Sequence, residues 1–145
     1  MAEGRSRRIL VVTDHVTPTA GVTDAIRQRA GTDDVQFRLV VVNPARAEIH
    51  LLHPERHDKA AAAERTLREV VPALEATTGA HVIGSVSIRH DPMDAIEETL
   101  FSEPIDEIMV AVPVHRIARL THQDLEHRLA HFGIPVTVIH DAPVA

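Results

Sequence analysis

The chain has 145 residues, 44% apolar and 25% charged, and a formal net charge of −6, which fits one domain with a real core and argues against a general nucleic-acid binder. It contains no cysteine, so disulfides, thiolate zinc sites and thiol nucleophiles are excluded. Three Phe without Tyr or Trp leave almost no base-stacking surface, and no apolar run approaches the roughly 20 residues of a membrane helix.

The charged start, Met1 to Arg8, has no apolar core behind it before the first strand, so a signal peptide is not expected and a cytoplasmic protein is. Arg8-Ile9-Leu10-Val11-Val12-Thr13-Asp14 places four apolar β-formers in a row before a carboxylate. Such a run reads as a strand buried on both faces, in the middle of a parallel sheet. A turn-rich loop, His15 to Gly21, follows. A short helix is expected over residues 22–30, with Val22, Ile26 and Ala30 on one face and Gly31 closing it at C′. Residues 35–42 form the second strand, which stops at Asn43-Pro44.

Residues 43–54 read as irregular. A long helix is expected over residues 55–78, with Ala60, Ala63, Leu67, Val70, Val71 and Leu74 at helical spacing and Glu64, Arg65, Arg68 and Glu69 toward water. Pro72 inside it predicts a kink or a break, because its ring clashes with the carbonyl of Arg68. Gly79 ends the element. Residues 81–89 read as strand three, where Gly84 marks a bulge or a close backbone approach. Asp91 as N-cap and Pro92 at the first helical position start a helix that buries Met93, Ile96 and Leu100. Residues 105–112 form strand four. After a loop, Thr121-His122-Gln123-Asp124 opens a helix burying Leu125, Leu129 and Phe132. Residues 134–140 are the last strand. The alternation β-α-β-α-β-α-β-α-β predicts a single α/β domain, residues 1–145, with a doubly wound parallel sheet and helices on both faces.

Four segments carry a resemblance. They are Ile9-Leu10-Val11-Val12-Thr13-Asp14, Asp91-Pro92-Met93-Asp94-Ala95-Ile96, Asp106-Glu107-Ile108-Met109-Val110 and Ile134-Pro135-Val136-Thr137-Val138-Ile139. In this order and spacing the chain resembles the universal stress protein family over nearly its whole length. The resemblance implies sheet order 3-2-1-4-5, with strand one central, and a homodimer. ATP-binding members carry Gly, two residues, Gly, nine residues and Gly-Ser or Gly-Thr after strand four. There, glycines let backbone amides approach phosphates beside a helix N-terminus. The matching positions here hold Pro113, Arg116, Glu126 and His127, and no glycine lies between Gly84 and Gly133. The chain is similar to the branch that lacks the glycine loop, so no cofactor and no tight ATP binding are expected.

Asp14 ends strand one, where doubly wound sheets place ligands. In nucleotide-binding relatives an Asp here contacts the nucleoside; the plainer role is capping the following loop. Asp14, Val42 at the end of strand two, and His115, Arg116 and Arg119 after strand four are the candidate anion or nucleotide site, since Arg suits phosphate or carboxylate. His50, His53 and His57, and His127 and His131, have spacings that a helix could turn into metal ligands. Pro54 interrupts the first set, the second lies off the apolar stripe, and chance explains both in a chain with eleven histidines, so no metal is expected. No nucleophile elbow, Walker A loop or HExxH motif is present, and Asp14-His15-Val16-Thr17 has neither a Ser-Gly-Gly-type loop nor a His-x-Gly-His-type motif, so no enzyme is expected.

The last strand is uncharged and, in the implied order, lies at an edge. Bare apolar edges are blunted or paired, and Pro135 guards only the start. Val136, Thr137, Val138 and Ile139 are therefore expected to pair with a second copy in a two-fold dimer.

Overall fold

Ile9, Leu10, Val11 and Val12 are fully buried in the middle of β1 (Arg7–Thr13). The structure, a computed structural model, describes residues 6–31, 34–42, 56–87, 92–111 and 133–139. After β1 come α1 (Ala20–Ala30), β2 (Val35–Val41), α2 (Arg56–Thr78), β3 (His81–Val86), α3 (Pro92–Ser102), β4 (Glu107–Val110) and β5 (Val136–Val138). The strands form one sheet of order β3-β2-β1-β4-β5, parallel at every pairing. This is the α/β architecture expected from the alternation of elements and the strand order that the resemblance implied.

Successive side chains leave a strand on opposite faces, so four buried residues in a row need cover on both sides. Ile9 and Val11 pack with Phe37 and Leu39 of β2, Val22 and Ile26 of α1, and Ala63, Leu67 and Leu74 of α2. Leu10 and Val12 pack with Val40, Ile108 and Val110, and with Met93 and Ile96 of α3. Thus α1 and α2 cover one face and α3 the other, as right-handed crossovers require when the chain steps outward to β3 and then back past β1 to β4.

Local chemistry sets the boundaries. Thr19 caps α1, its Oγ1 accepting from Val22 N at 3.3 Å, so the helix begins at Ala20, earlier than its apolar stripe implied. Gly31 does not take the left-handed C′ conformation expected of it. Its φ is −76° and its amide still donates to Arg27 O at 3.3 Å, so the helical pattern simply runs out. Gly79 does turn left-handed, at φ 73°. Pro72 does not break α2, which is continuous from Arg56 to Thr78. Pro72 and Arg68 are both exposed, so the carbonyl deprived of its amide donor lies where water can reach it.

Gly84 marks a close approach and no bulge. Its register with Leu39 is unbroken, and a Cβ there would lie 3.0 Å from both Leu67 Cδ2 and Val71 Cγ2. β3, β4 and β5 are shorter than their apolar runs. β4 starts at Glu107 because the Asp106 carboxylate, at 2.8 Å, takes the Arg8 amide that a ladder carbonyl would otherwise hold. The proposed N-cap Asp91 and the helix expected after residue 121 lie outside the described residues. No helix among the described residues is long and apolar enough to cross a membrane.

Candidate functional site

Three strands end level at the carboxyl edge of the sheet. Val42 N donates to Thr13 O at 2.8 Å and Ala111 N to Val12 O at 2.7 Å, so the ladder runs one step beyond the strands. Thr13 Oγ1 accepts from His15 N at 3.2 Å and turns the chain there. This sets Asp14 in the turn, 4% exposed, one residue beyond the Thr13–Val41 register pair and level with the fully buried Val42.

The Asp14 carboxylate is not the cap of α1, since Thr19 fills that role. It faces His15, with Oδ1 3.5 Å from Nε2 of a ring that is itself 42% exposed. Asp14 and Val42 each follow the Thr13–Val41 register pair at the carboxyl ends of β1 and β2. His115, Arg116 and Arg119, like His50, His53, His127 and His131, lie outside the described residues. Among the described residues no group of histidines and carboxylates gathers as a metal site.

A second charged constellation, at the amino edge of the sheet, carried no sequence signal. Glu107 is held by Arg29 at 2.9 Å and approached by Arg7 at 3.7 Å. Glu103 is held by Arg38 at 3.1 Å and approached by Arg8 at 3.6 Å. These partners are far apart in the chain and meet only through the crossover to β4. Each described cation there has a carboxylate partner, which suits a clamp better than a ligand site.

Three cavities have described linings. One of about 380 Å³ lies between α2 and β3, against Leu67, Val71, Pro72 and Gly84. Two others, about 310 and 250 Å³, flank the Arg38–Glu103 pair beside α3 and β3. None of the three is lined by Asp14 or Val42.

The sheet has two edges, and backbone parity fixes what each offers. Ile108 N donates to Pro135 O at 2.9 Å and Ile139 N to Val110 O at 2.8 Å. In a parallel ladder this turns the backbone of Thr137 toward β4 and that of Val136 and Val138 outward. Ile139 lies past β5 with its amide turned inward. Of the four residues expected at the pairing edge, Val136 and Val138 carry the outward amides, and Thr137 is exposed between them.

No family model and no curated protein matches the chain. Solved structures do. A universal stress protein from Archaeoglobus fulgidus superposes with a TM-score of 0.59 at 16% identity, over 92% of this chain and 93% of that one. A hypothetical protein, PH0823, superposes with a TM-score of 0.51 at 18% identity, over 96% and 99%. At these identities the likeness shows a shared fold, and the fold is that of universal stress proteins.

Proposed function

We propose that this chain is a non-catalytic, dimeric universal stress protein of the cytoplasm, with a regulatory or stress-response role and no tight hold on ATP. It would act through protein contacts or a weakly held anion. The fold supports the family. The observation that carries the ATP reading is the absence of glycine between Gly84 and Gly133. In that region every residue bears a side chain, and Pro113 also lacks an amide hydrogen, so backbone amides cannot wrap a triphosphate there as glycines allow. Titration calorimetry with ATP, ADP and AMP tests it. No saturable heat in the submillimolar range is expected, and submillimolar affinity for any of the three overturns the reading.

The dimer reading is supported by the β5 edge, where Val136 and Val138 turn their amides outward and no described side chain takes them. A second copy running antiparallel supplies the missing acceptors. Sedimentation velocity at micromolar concentration is expected to give the mass of a dimer; a monomer removes this part of the proposal.

One observation favours a second reading, a nucleotide site without the glycine loop. Asp14 and Val42 follow the Thr13–Val41 pair at the carboxyl ends of β1 and β2, where doubly wound sheets take their ligands, with Arg116 and Arg119 available by sequence for phosphate. Submillimolar AMP or ATP binding that is lost in Arg116→Ala and in Asp14→Ala would establish it.

A further inference from the structure

β3 is the sheet's other edge, and it is not left open in the same way. Ser87 N donates to Val41 O at 2.8 Å, so the odd-numbered residues of β3 face β2 and the amides of Val82, Gly84 and Val86 point out of the sheet. The first of these is already taken. Val82 N donates to Glu75 Oε2 at 2.9 Å, and the same oxygen lies 3.3 Å from His81 Nδ1.

The turn between α2 and β3 is built to deliver that carboxylate. Glu75 sits in the last turn of α2. Thr78 Oγ1 donates to Leu74 O at 2.7 Å and accepts from Ala80 N at 3.2 Å. Gly79, at φ 73°, sends its amide back to Glu75 O at 2.8 Å. The helix therefore stops one turn above the strand it covers, and its last acidic side chain reaches over the edge.

We infer that Glu75 closes the β3 edge to strand addition, so that a second copy of this chain pairs at β5 and not at β3. This deepens the dimer reading and rests on it. A two-fold antiparallel pair at β3 would centre on Gly84 and match Val82 of each chain with Val86 of the other. Glu75 occupies the Val82 donor at both ends of that pair and sets a negative charge where an incoming carbonyl would have to lie. Gly84 at the centre offers no side chain to pack across the junction. With both edges open, two different two-fold contacts would alternate along one continuous sheet, which has no closed form and grows into a filament. A single carboxylate thus limits the size of the assembly.

The test compares the 145-residue chain with Glu75→Ala, Glu75→Gln, Val138→Pro and the Glu75→Ala/Val138→Pro double variant by sedimentation velocity. Proline at Val138 removes an outward amide of β5 and leaves the β4 ladder intact. Glu75→Ala is expected to exceed the parent mass and to grow with concentration. Glu75→Gln, which keeps an acceptor oxygen, stays like the parent. Val138→Pro is a monomer, and the double variant returns to a dimer through β3. A folded Glu75→Ala with the parent's mass overturns the inference while leaving the β5 dimer standing. A monomeric parent sinks the β5 dimer, and Glu75→Ala must then shift from monomer to dimer for the inference to survive. Should Glu75→Ala not fold, amide exchange in the parent protein decides: Val82 is expected to exchange at least roughly tenfold more slowly than Gly84 and Val86, and equal rates overturn the inference.

Discussion

Arg29 grips Glu107 with two hydrogen bonds, Nε to Oε2 at 3.1 Å and Nη2 to Oε1 at 2.9 Å. The first residue of β4 is thereby tied to the last turn of α1, which also sets a cation at the helix end that favours one. Both side chains are mostly shielded, at 23% and 14% exposure, so the pair is screened less than a surface bridge. Arg29→Ala should destabilise the fold by about 1–3 kcal/mol, since among the described residues it leaves Glu107 with the distant Arg7 as its cation. Arg29→Lys should recover only part of the loss, because an ammonium cannot reproduce the forked contact. Urea unfolding midpoints measure both, and unchanged midpoints would show that solvent replaces the pair.

Gly31 and Gly79 make a matched pair of substitutions at helix ends. At φ −76° Gly31 accepts alanine without strain, and a Cβ there finds its nearest neighbours at 3.7 and 3.8 Å. Gly31→Ala should leave stability unchanged or raise it by up to about 1 kcal/mol through the unfolded chain. Gly79, at φ 73°, forces any L side chain into the left-handed region, and Gly79→Ala should cost about 1–2 kcal/mol. Equal thermal shifts for the two variants would contradict the backbone geometry.

Gly84 predicts a coupling instead of a strain. Alanine there must push Leu67 and Val71 back from 3.0 Å contacts, which should destabilise by about 1–2 kcal/mol. Leu67→Ala alone opens a cavity and should cost roughly 2–4 kcal/mol. The double variant should be more stable than the sum of the two implies, by at least about 0.5 kcal/mol, because the added methyl enters the vacated space. Strict additivity in denaturant unfolding would mean that α2 does not press on β3.

Much of this architecture is legible in the sequence because burial on both faces leaves an unmistakable mark. Ile9 to Val12, Leu39 to Val42 and Ile108 to Val112 are uninterrupted apolar runs, and the helices between them fix the sheet as parallel. The ends of elements are less legible, because they depend on partners remote in the chain. Ile105 is buried yet outside β4, since Asp106 takes over the hydrogen bond that would have extended the ladder. β5 spans Val136–Val138 because it can be no longer than the part of β4 it meets. Of the candidate site, Asp14 was legible from its place after a buried strand. The Arg29–Glu107 and Arg38–Glu103 pairs were not, because nothing in the chain relates residues that only the crossover brings together. Glu75 had one faint signal, an acidic residue four positions before a helix-ending glycine.

Thr137 offers a direct reading of the dimer geometry. If Val136 of one copy exchanges hydrogen bonds with Val138 of the other, the two-fold axis passes between two Thr137 residues at a non-hydrogen-bonded site. The Cα atoms at such a site stand about 4.5 Å apart, within the span of a disulfide. The natural chain has no cysteine, so Thr137→Cys introduces a single reporter. Mild oxidation should give a cross-linked dimer in high yield on non-reducing electrophoresis. A monomeric Thr137→Cys under the same conditions would rule out pairing centred there.

The register that joins Ile9 both to Phe37 and to Glu107 has a consequence for biosynthesis. During synthesis β1 gains one neighbour early, while its other flank waits for a segment made nearly a hundred residues later. At typical translation speeds that interval is roughly 5–20 s. Throughout it, the outward amides of Leu10 and Val12 are unclaimed on the nascent chain, and this is when a chaperone has the most to shield.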